Sequence, residues 1–147
     1  MKYIIAYDLG TGGTKTSLFD ENGVSRASGF TNCDTYYPHS GWHEQRPEGW
    51  WDSVVTSTRK MLAQSEVAVE DIVALAVSGH SLGVTPVGYD GSLLAEYVPI
   101  WSDARAGRQA ERFFESVDSD SWYMTTGSGF PAPLYSIFKI MWYMDEC

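Results

Sequence analysis

The stretch Asp8-Leu9-Gly10-Thr11-Gly12-Gly13-Thr14-Lys15 constrains the fold more than any other part of the chain. It lies between two short runs rich in β-formers, Tyr3 to Tyr7 and Thr14 to Asp20, so its glycines must turn the backbone tightly between neighbouring strands. Such a turn lets backbone N–H groups come close to phosphate oxygens. Thr11 and Thr14 can add hydroxyl donors, Asp8 at the strand end can hold Mg²⁺ through water, and Lys15 can add a point charge. Read alone, the same residues also suit a glycine-rich hairpin that needs positive φ and binds nothing. The pattern is neither the Walker loop nor the dinucleotide fingerprint, which lack a leading Asp and precede a helix.

Downstream, Glu21-Asn22-Gly23 predicts a turn into a third strand from about Val24 to Thr31, which makes an antiparallel three-strand meander. Asn32 to Arg46 mixes Pro, Gly, His and aromatic residues without period and reads as an ordered surface loop. Pro47 suits the first position of a helix, in which Trp51, Val54, Val55, Thr58, Met61 and Leu62 share a face. The apolar run Ile72 to Val77 predicts a central strand buried on both faces, and Val84 to Gly88, with Pro86, a strand near an edge. A second helix is expected from Ser102 to about Val117, and a third from near Pro133 with Leu134, Ile137, Phe138, Met141 and Trp142 as its stripe. No repeat or low-complexity segment is present. This order of elements predicts an α/β domain of the ribonuclease H-like type, a mixed sheet flanked by helices.

Composition decides which ligands such a hairpin can hold. At 147 residues and 44% hydrophobic, the chain suits one domain with a single core. Its net charge of −9 repels nucleic acid and anionic membranes, so any nucleotide phosphate must be held by local backbone donors and a metal. Cys33 and Cys147 are too few for a disulfide framework and read as reduced thiols. The apolar start is too short for a signal peptide or a membrane span, which predicts a cytoplasmic, soluble protein. Six Trp and nine Tyr supply core, and beside polar groups also sugar-stacking walls.

Asp-x-Gly-Thr followed by Lys resembles the first phosphate motif of the actin, Hsp70 and hexokinase superfamily, in which two ribonuclease H-like domains close over ATP. Three further stretches resemble, in order, the FGGY carbohydrate kinases of that superfamily: Gly41-Trp42-His43-Glu44-Gln45-Arg46-Pro47-Glu48-Gly49-Trp50-Trp51, Val77-Ser78-Gly79-His80-Ser81-Leu82-Gly83, and Pro99-Ile100-Trp101-Ser102-Asp103-Ala104-Arg105. Thr126-Gly127-Ser128-Gly129 with Lys139 and Trp142 is similar to the family's Thr-Gly loop and Lys-x-x-Trp helix. The resemblance implies an actin-like ATPase domain spanning 1–147, the amino-terminal domain of a xylulokinase-like kinase. ATP and Mg²⁺ are its implied cofactors, with Asp8 at the metal and Gly10, Thr11, Gly12, Gly13, Thr14 and Lys15 at the phosphates. It also implies a sugar held by His80, Ser81, Trp101 and Asp103. Without the family, His80 reads as a turn histidine, Trp101 as core and Asp103 as a helix cap.

Where xylulokinases carry Gly-Gln-Met-His-Gly this chain has Leu82 in place of the sugar-binding His, and the Arg-Glu pair of glycerol kinases is missing. The substrate expectation is therefore a ketopentose such as xylulose, or a related ketose or polyol. Family members are much longer, and their sugar-deprotonating carboxylate lies in a carboxyl-terminal domain, which predicts that these residues alone are inactive. Two other readings stay open, a sugar- or nucleotide-binding module without chemistry and an actin- or Hsp70-like scaffold. The apolar stripe close to Cys147 predicts self-association, with a homodimer as an option.

Overall fold

The computed structural model describes residues 1–147. In chain order its strands are β1 (Tyr3–Gly10), β2 (Gly13–Asp20), β3 (Ser25–Asn32), β4 (Glu44–Gln45), β5 (Ile72–Ser78) and β6 (Val98–Pro99). Its helices are α1 (Pro47–Gln64), α2 (Gly107–Phe114), α3 (Ser119–Thr126) and α4 (Ser136–Glu146). The chain divides into two compact units, one made of Met1–Thr35 and Arg46–His80, the other of Tyr36–Gln45 and Ser81–Cys147. Each has its own buried cluster, where composition predicts a single core.

In the first unit β1, β2 and β3 form the expected antiparallel meander, and β5 adds in parallel to β1, giving the order β3-β2-β1-β5. Alternation puts Ile5, Tyr7 and Leu18 on one face, where they pack against Met61 of α1. The helix sits on a hydroxyl seam: Thr14 Oγ1 lies 2.6 Å from Ser53 Oγ, and Thr16 Oγ1 lies 2.6 Å from Ser57 Oγ. The buried line of α1 is thus Ser53, Ser57 and Met61, while Trp51, expected on that face, is exposed. Close approach selects the small residues: a Cβ on Gly29 of β3 would lie 2.9 Å from the Ser57 carbonyl oxygen.

The expectation for Ile72 to Val77 is corrected. This run forms the edge strand β5, and Val73, Leu75 and Val77 are 57%, 65% and 71% exposed. Register with Ile5 and Tyr7 puts Leu75 and Val77 on the α1 face, yet α1 packs over β2 and β3 and leaves that stripe uncovered. An apolar run signals that both faces suit cover, not that a neighbour supplies it.

In the second unit β4 pairs antiparallel with β6, so the surface loop predicted for residues 32 to 46 contains a short strand. Val84 to Gly88 forms no strand and makes only a single bridge, Val87 to Leu93, around the Asp90-Gly91 turn. The helix predicted from Ser102 begins at Gly107, because Asp103 and Arg105 shape the preceding turn. α3 escaped the periodicity argument, although Asp118 caps it by accepting from Ser121 N at 2.8 Å. Ala106, Ala110, Ala132 and Phe138 make the core, with Phe113, Phe114 and Trp142 packed against it.

Candidate functional site

The glycine-rich hairpin sits at the open end of the meander. Gly10 pairs with Gly13 across it, and Thr11 and Gly12 form the tip. Gly13 has φ 148°, and a Cβ there would lie 2.2 Å from the Thr31 carbonyl oxygen, so only glycine fits beneath β3. Alternation sends the next side chains to opposite faces. Thr14, expected to offer its hydroxyl to phosphate, is buried against Ser53, which leaves its backbone as the part near the hairpin. Lys15 and Asp8 face each other in register on the exposed side. With Ala6, Ser17, Phe19 and Ser78 they line a shallow hollow of about 400 Å³.

A single carboxylate facing open space at the end of the glycine hairpin fits Mg²⁺, which is typically held by one or two carboxylates together with substrate phosphates. No group of three or more His, Cys, Asp or Glu residues is placed to hold an ion by itself. Asp8 is therefore the residue that would hold the metal, and only with a nucleotide as co-ligand. At the end of the same unit, His80 meets the Trp50 ring edge-on at 5.7 Å, and its Nε2 is buried without a hydrogen-bond partner.

The second unit contains a knot built on Asp103. This residue, expected to touch the sugar, is fully buried. Its Oδ2 accepts from His43 N at 2.7 Å and from Arg105 Nη2 at 2.8 Å, and its Oδ1 accepts from Arg105 N at 3.0 Å and Arg105 Nε at 2.9 Å. Arg105 Nη2 also donates to Glu44 Oε1 at 2.6 Å. The guanidinium lies 3.9 Å from the Trp42 ring centre and 4.9 Å from that of Trp142. Burial works against this charge, but hydrogen bonds to Asp103 and Glu44 outweigh it and hold the Arg105 pKa above the ordinary arginine value. Asp103 is therefore not open to a ligand. It fixes the turn that presents its neighbours Trp101 and Ser102.

A sequence model of the FGGY family of carbohydrate kinases, N-terminal domain, matches residues 3–147. The chain belongs to the FGGY family of carbohydrate kinases. It is 28% identical to a xylulose kinase of Bacillus subtilis, over 99% of this chain and 29% of that protein. It is also 28% identical to a glycerol kinase of Methylibium petroleiphilum, with the same coverage. A ligand-bound crystal structure of xylulose kinase from Lactobacillus acidophilus superposes with a TM-score of 0.87 at 25% identity, covering 99% of this chain and 29% of that one. The chain thus spans about 29% of the length of the curated relatives it matches.

Within this FGGY chain the family-like stretches have unequal roles. Trp42 and Glu44, Asp103 and Arg105, and Trp142 come from three of them and meet at the knot. Glu44, Arg105 and Lys139 were absent from the residues nominated for the site, although all three lie in stretches that carry the resemblance. Lys139 is fully buried, and burial pushes its pKa down to about 8, with Asp103 opposing and Arg105 adding to the shift. Ser81 is exposed, and Trp101 is 44% exposed on the rim of the same unit.

Proposed function

We propose that this chain is the amino-terminal part of an ATP-dependent sugar kinase, one that transfers the γ-phosphoryl group to a hydroxyl of a ketopentose such as xylulose, or of a related ketose or polyol. The observation that carries the reading is the hairpin of β1 and β2. It turns Asp8 and Lys15 outward over an open hollow, at the end of the strands that the Gly10–Gly13 turn joins. In this reading the backbone donors of residues 10 to 14 cradle the phosphates, Lys15 adds charge beside them, and Asp8 holds Mg²⁺. The ion, when bound, supplies charge neutralisation on the phosphates.

Toward the sugar, the reading assigns His80, Ser81 and Trp101, each from its own surroundings. The orphaned Nε2 of His80 favours a polar partner that a ligand would bring. Trp101 offers an aromatic wall, and Asp103 holds the Trp101 turn. The chain spans 29% of its relatives' length, and in this reading the group that deprotonates the sugar hydroxyl belongs to the remainder, so the chain alone binds without turning over. No helix is long and apolar enough to cross a membrane, and the two free thiols agree with a cytoplasmic setting.

The test starts with titration of the chain with ATP, with and without MgCl₂, followed by NMR. Shifts confined to residues 8 to 15, and weakened by Asp8→Asn only when Mg²⁺ is present, support the assignment. ADP release with a panel of ketoses and polyols is then measured for the chain and for its complete reading frame. Sugar-dependent release by the longer protein alone is the expected result. Binding without release by either would instead make this a non-catalytic module, and no nucleotide binding at all would refute the reading.

A further inference from the structure

Leu82 is the one residue other than glycine with positive φ, at 62°. Gly83 N donates to the Ser81 carbonyl oxygen at 2.8 Å, which makes residues 81–83 a γ-turn of the strained, positive-φ kind. A branched side chain does not adopt this conformation without support, and the support comes from α4. Lys139 Nζ donates to the Leu82 carbonyl oxygen at 3.0 Å, Ser136 Oγ to that of Gly83 at 3.4 Å, and Lys139 Nζ also to those of Trp101 at 3.4 Å and Leu134 at 2.6 Å. One buried ammonium thus spends its three protons on three separate loops.

We infer that Lys139 is a positioning residue: its ammonium holds the Ser81-Leu82-Gly83 turn in its strained form and, through the Trp101 carbonyl, fixes the neighbouring loop, so that Ser81 and Trp101 are presented to the sugar in one fixed arrangement. The presentation to sugar rests on the kinase reading; the clamp on the two loops does not. A methionine would fill the same space but offer no donors, so the turn would relax to negative φ. An arginine would keep the charge and the donors. Glycine at position 82 would remove the need for a clamp, because it adopts positive φ without strain.

Lys139 stands out chemically because the groups facing it are few. They are the Asp103 carboxylate, the Arg105 guanidinium and three carbonyls. Loss of its proton would remove one donor from the three acceptors without changing the packing, so the turn should respond to pH while the fold persists.

The experiment uses the ¹³C,¹⁵N-labelled chain and its Lys139→Met, Lys139→Arg and Lys139→Met/Leu82→Gly variants. In the wild type, the carbonyl shifts of Leu82, Trp101 and Leu134 should titrate together with a midpoint near pH 8, with near-ultraviolet circular dichroism unchanged. Lys139→Met should move the Leu82 φ-sensitive coupling constant to a negative-φ value and raise amide exchange at 82–83 and 101–103 at least about tenfold, leaving β1 and β2 unchanged. Lys139→Arg should restore protection at both segments, whereas Leu82→Gly in the Lys139→Met background should restore only the positive φ at position 82. Three separate midpoints in the wild type, or an unchanged Leu82 coupling in Lys139→Met, overturn the proposal. If Lys139→Met unfolds, the wild-type titration still decides it. D-Xylulose added to each sample reports on the kinase reading separately. Absence of any shift at Ser81 and Trp101 counts against sugar binding, while the coupling constants still decide the clamp.

Discussion

Replacing Asp103 by Asn keeps the shape of the side chain and removes its charge at the centre of the buried knot. The carboxylate accepts four donors, two on each oxygen. An amide offers one oxygen, and whichever way it lies its NH₂ faces two donors that lose their acceptor. One orientation strands His43 N and Arg105 Nη2, the other Arg105 N and Nε. Each buried donor left unmatched costs about 1–3 kcal/mol, which gives about 2–6 kcal/mol for the pair. Breaking a buried ion pair by removing one partner costs about 3–5 kcal/mol, and here Glu44 still faces Arg105, so the lower half of the range applies. We expect a loss of about 3 kcal/mol, a large part of a domain's usual 5–15 kcal/mol. Urea unfolding followed by tryptophan fluorescence measures it, since Trp42 and Trp142 lie against the guanidinium. Amide exchange should rise in α2 and α4 before it rises in β1 and β2. A loss below about 1 kcal/mol, or equal loosening in both units, would refute the view that the knot holds the second unit together.

The hydroxyl seam should respond asymmetrically. Ser53 and Ser57 donate to the carbonyls of Trp50 and Val54, so each accepts the proton of its threonine. Ser53→Ala, which strands the buried Thr14 donor, should cost about 1–3 kcal/mol in chemical denaturation, and Thr14→Val less. Self-association should follow from the apolar edge β5. Light scattering at high concentration should show dimers or larger species that Leu75→Lys suppresses, and a monodisperse wild-type monomer would count against it. Asp20 accepts from the backbone of Val24 and Asn22 and pairs with Arg26, and the hydrogen bond from Val24 is the main cause that holds its pKa below 3.8. A depressed carboxylate stabilises the fold above its unfolded value and loses that contribution as pH falls through the folded one. Melting temperature should therefore drop more steeply below pH 3.8 in the wild type than in Asp20→Asn.

The meander was legible because two strands, a glycine hairpin and an Asn-Gly turn are local signals that the rest of the fold does not override. The edge position of β5 was not, since an apolar run reports suitability for burial and says nothing about which neighbours arrive. The shortfall of α2 has a similar origin. Ala106, Ala110 and Phe113 keep helical period, but the residues before Gly107 are held in a turn by Asp103, whose partners at positions 43 and 105 no periodicity could reveal. At the candidate site the hairpin was read correctly as a turn, while the inward Thr14 needed the strand register to be found. Glu44, Arg105 and Lys139 were visible as letters of family-like stretches, but charged side chains are seldom fully buried, and nothing in the sequence marks these three as exceptions.

That outcome bears on what the resemblance can decide. Three of the stretches that resemble the FGGY kinases converge on the Arg105 knot and on Lys139, where each side chain is fixed by partners within the chain. Substitution there would be felt as lost stability or a misplaced loop whatever sugar is bound, so these positions report the fold. In the proposed reading the groups that would face a ligand are few: Asp8 and Lys15 over their hollow, His80 with its unpartnered Nε2, and Ser81 and Trp101 on loops to which Lys139 donates. A substrate can therefore change through a small number of exposed residues while the knot stays intact. On the proposed kinase reading, exchanging Ser81, Leu82 or Trp101, and not strengthening the overall likeness, is the route to learning which hydroxyl compound the complete protein would select.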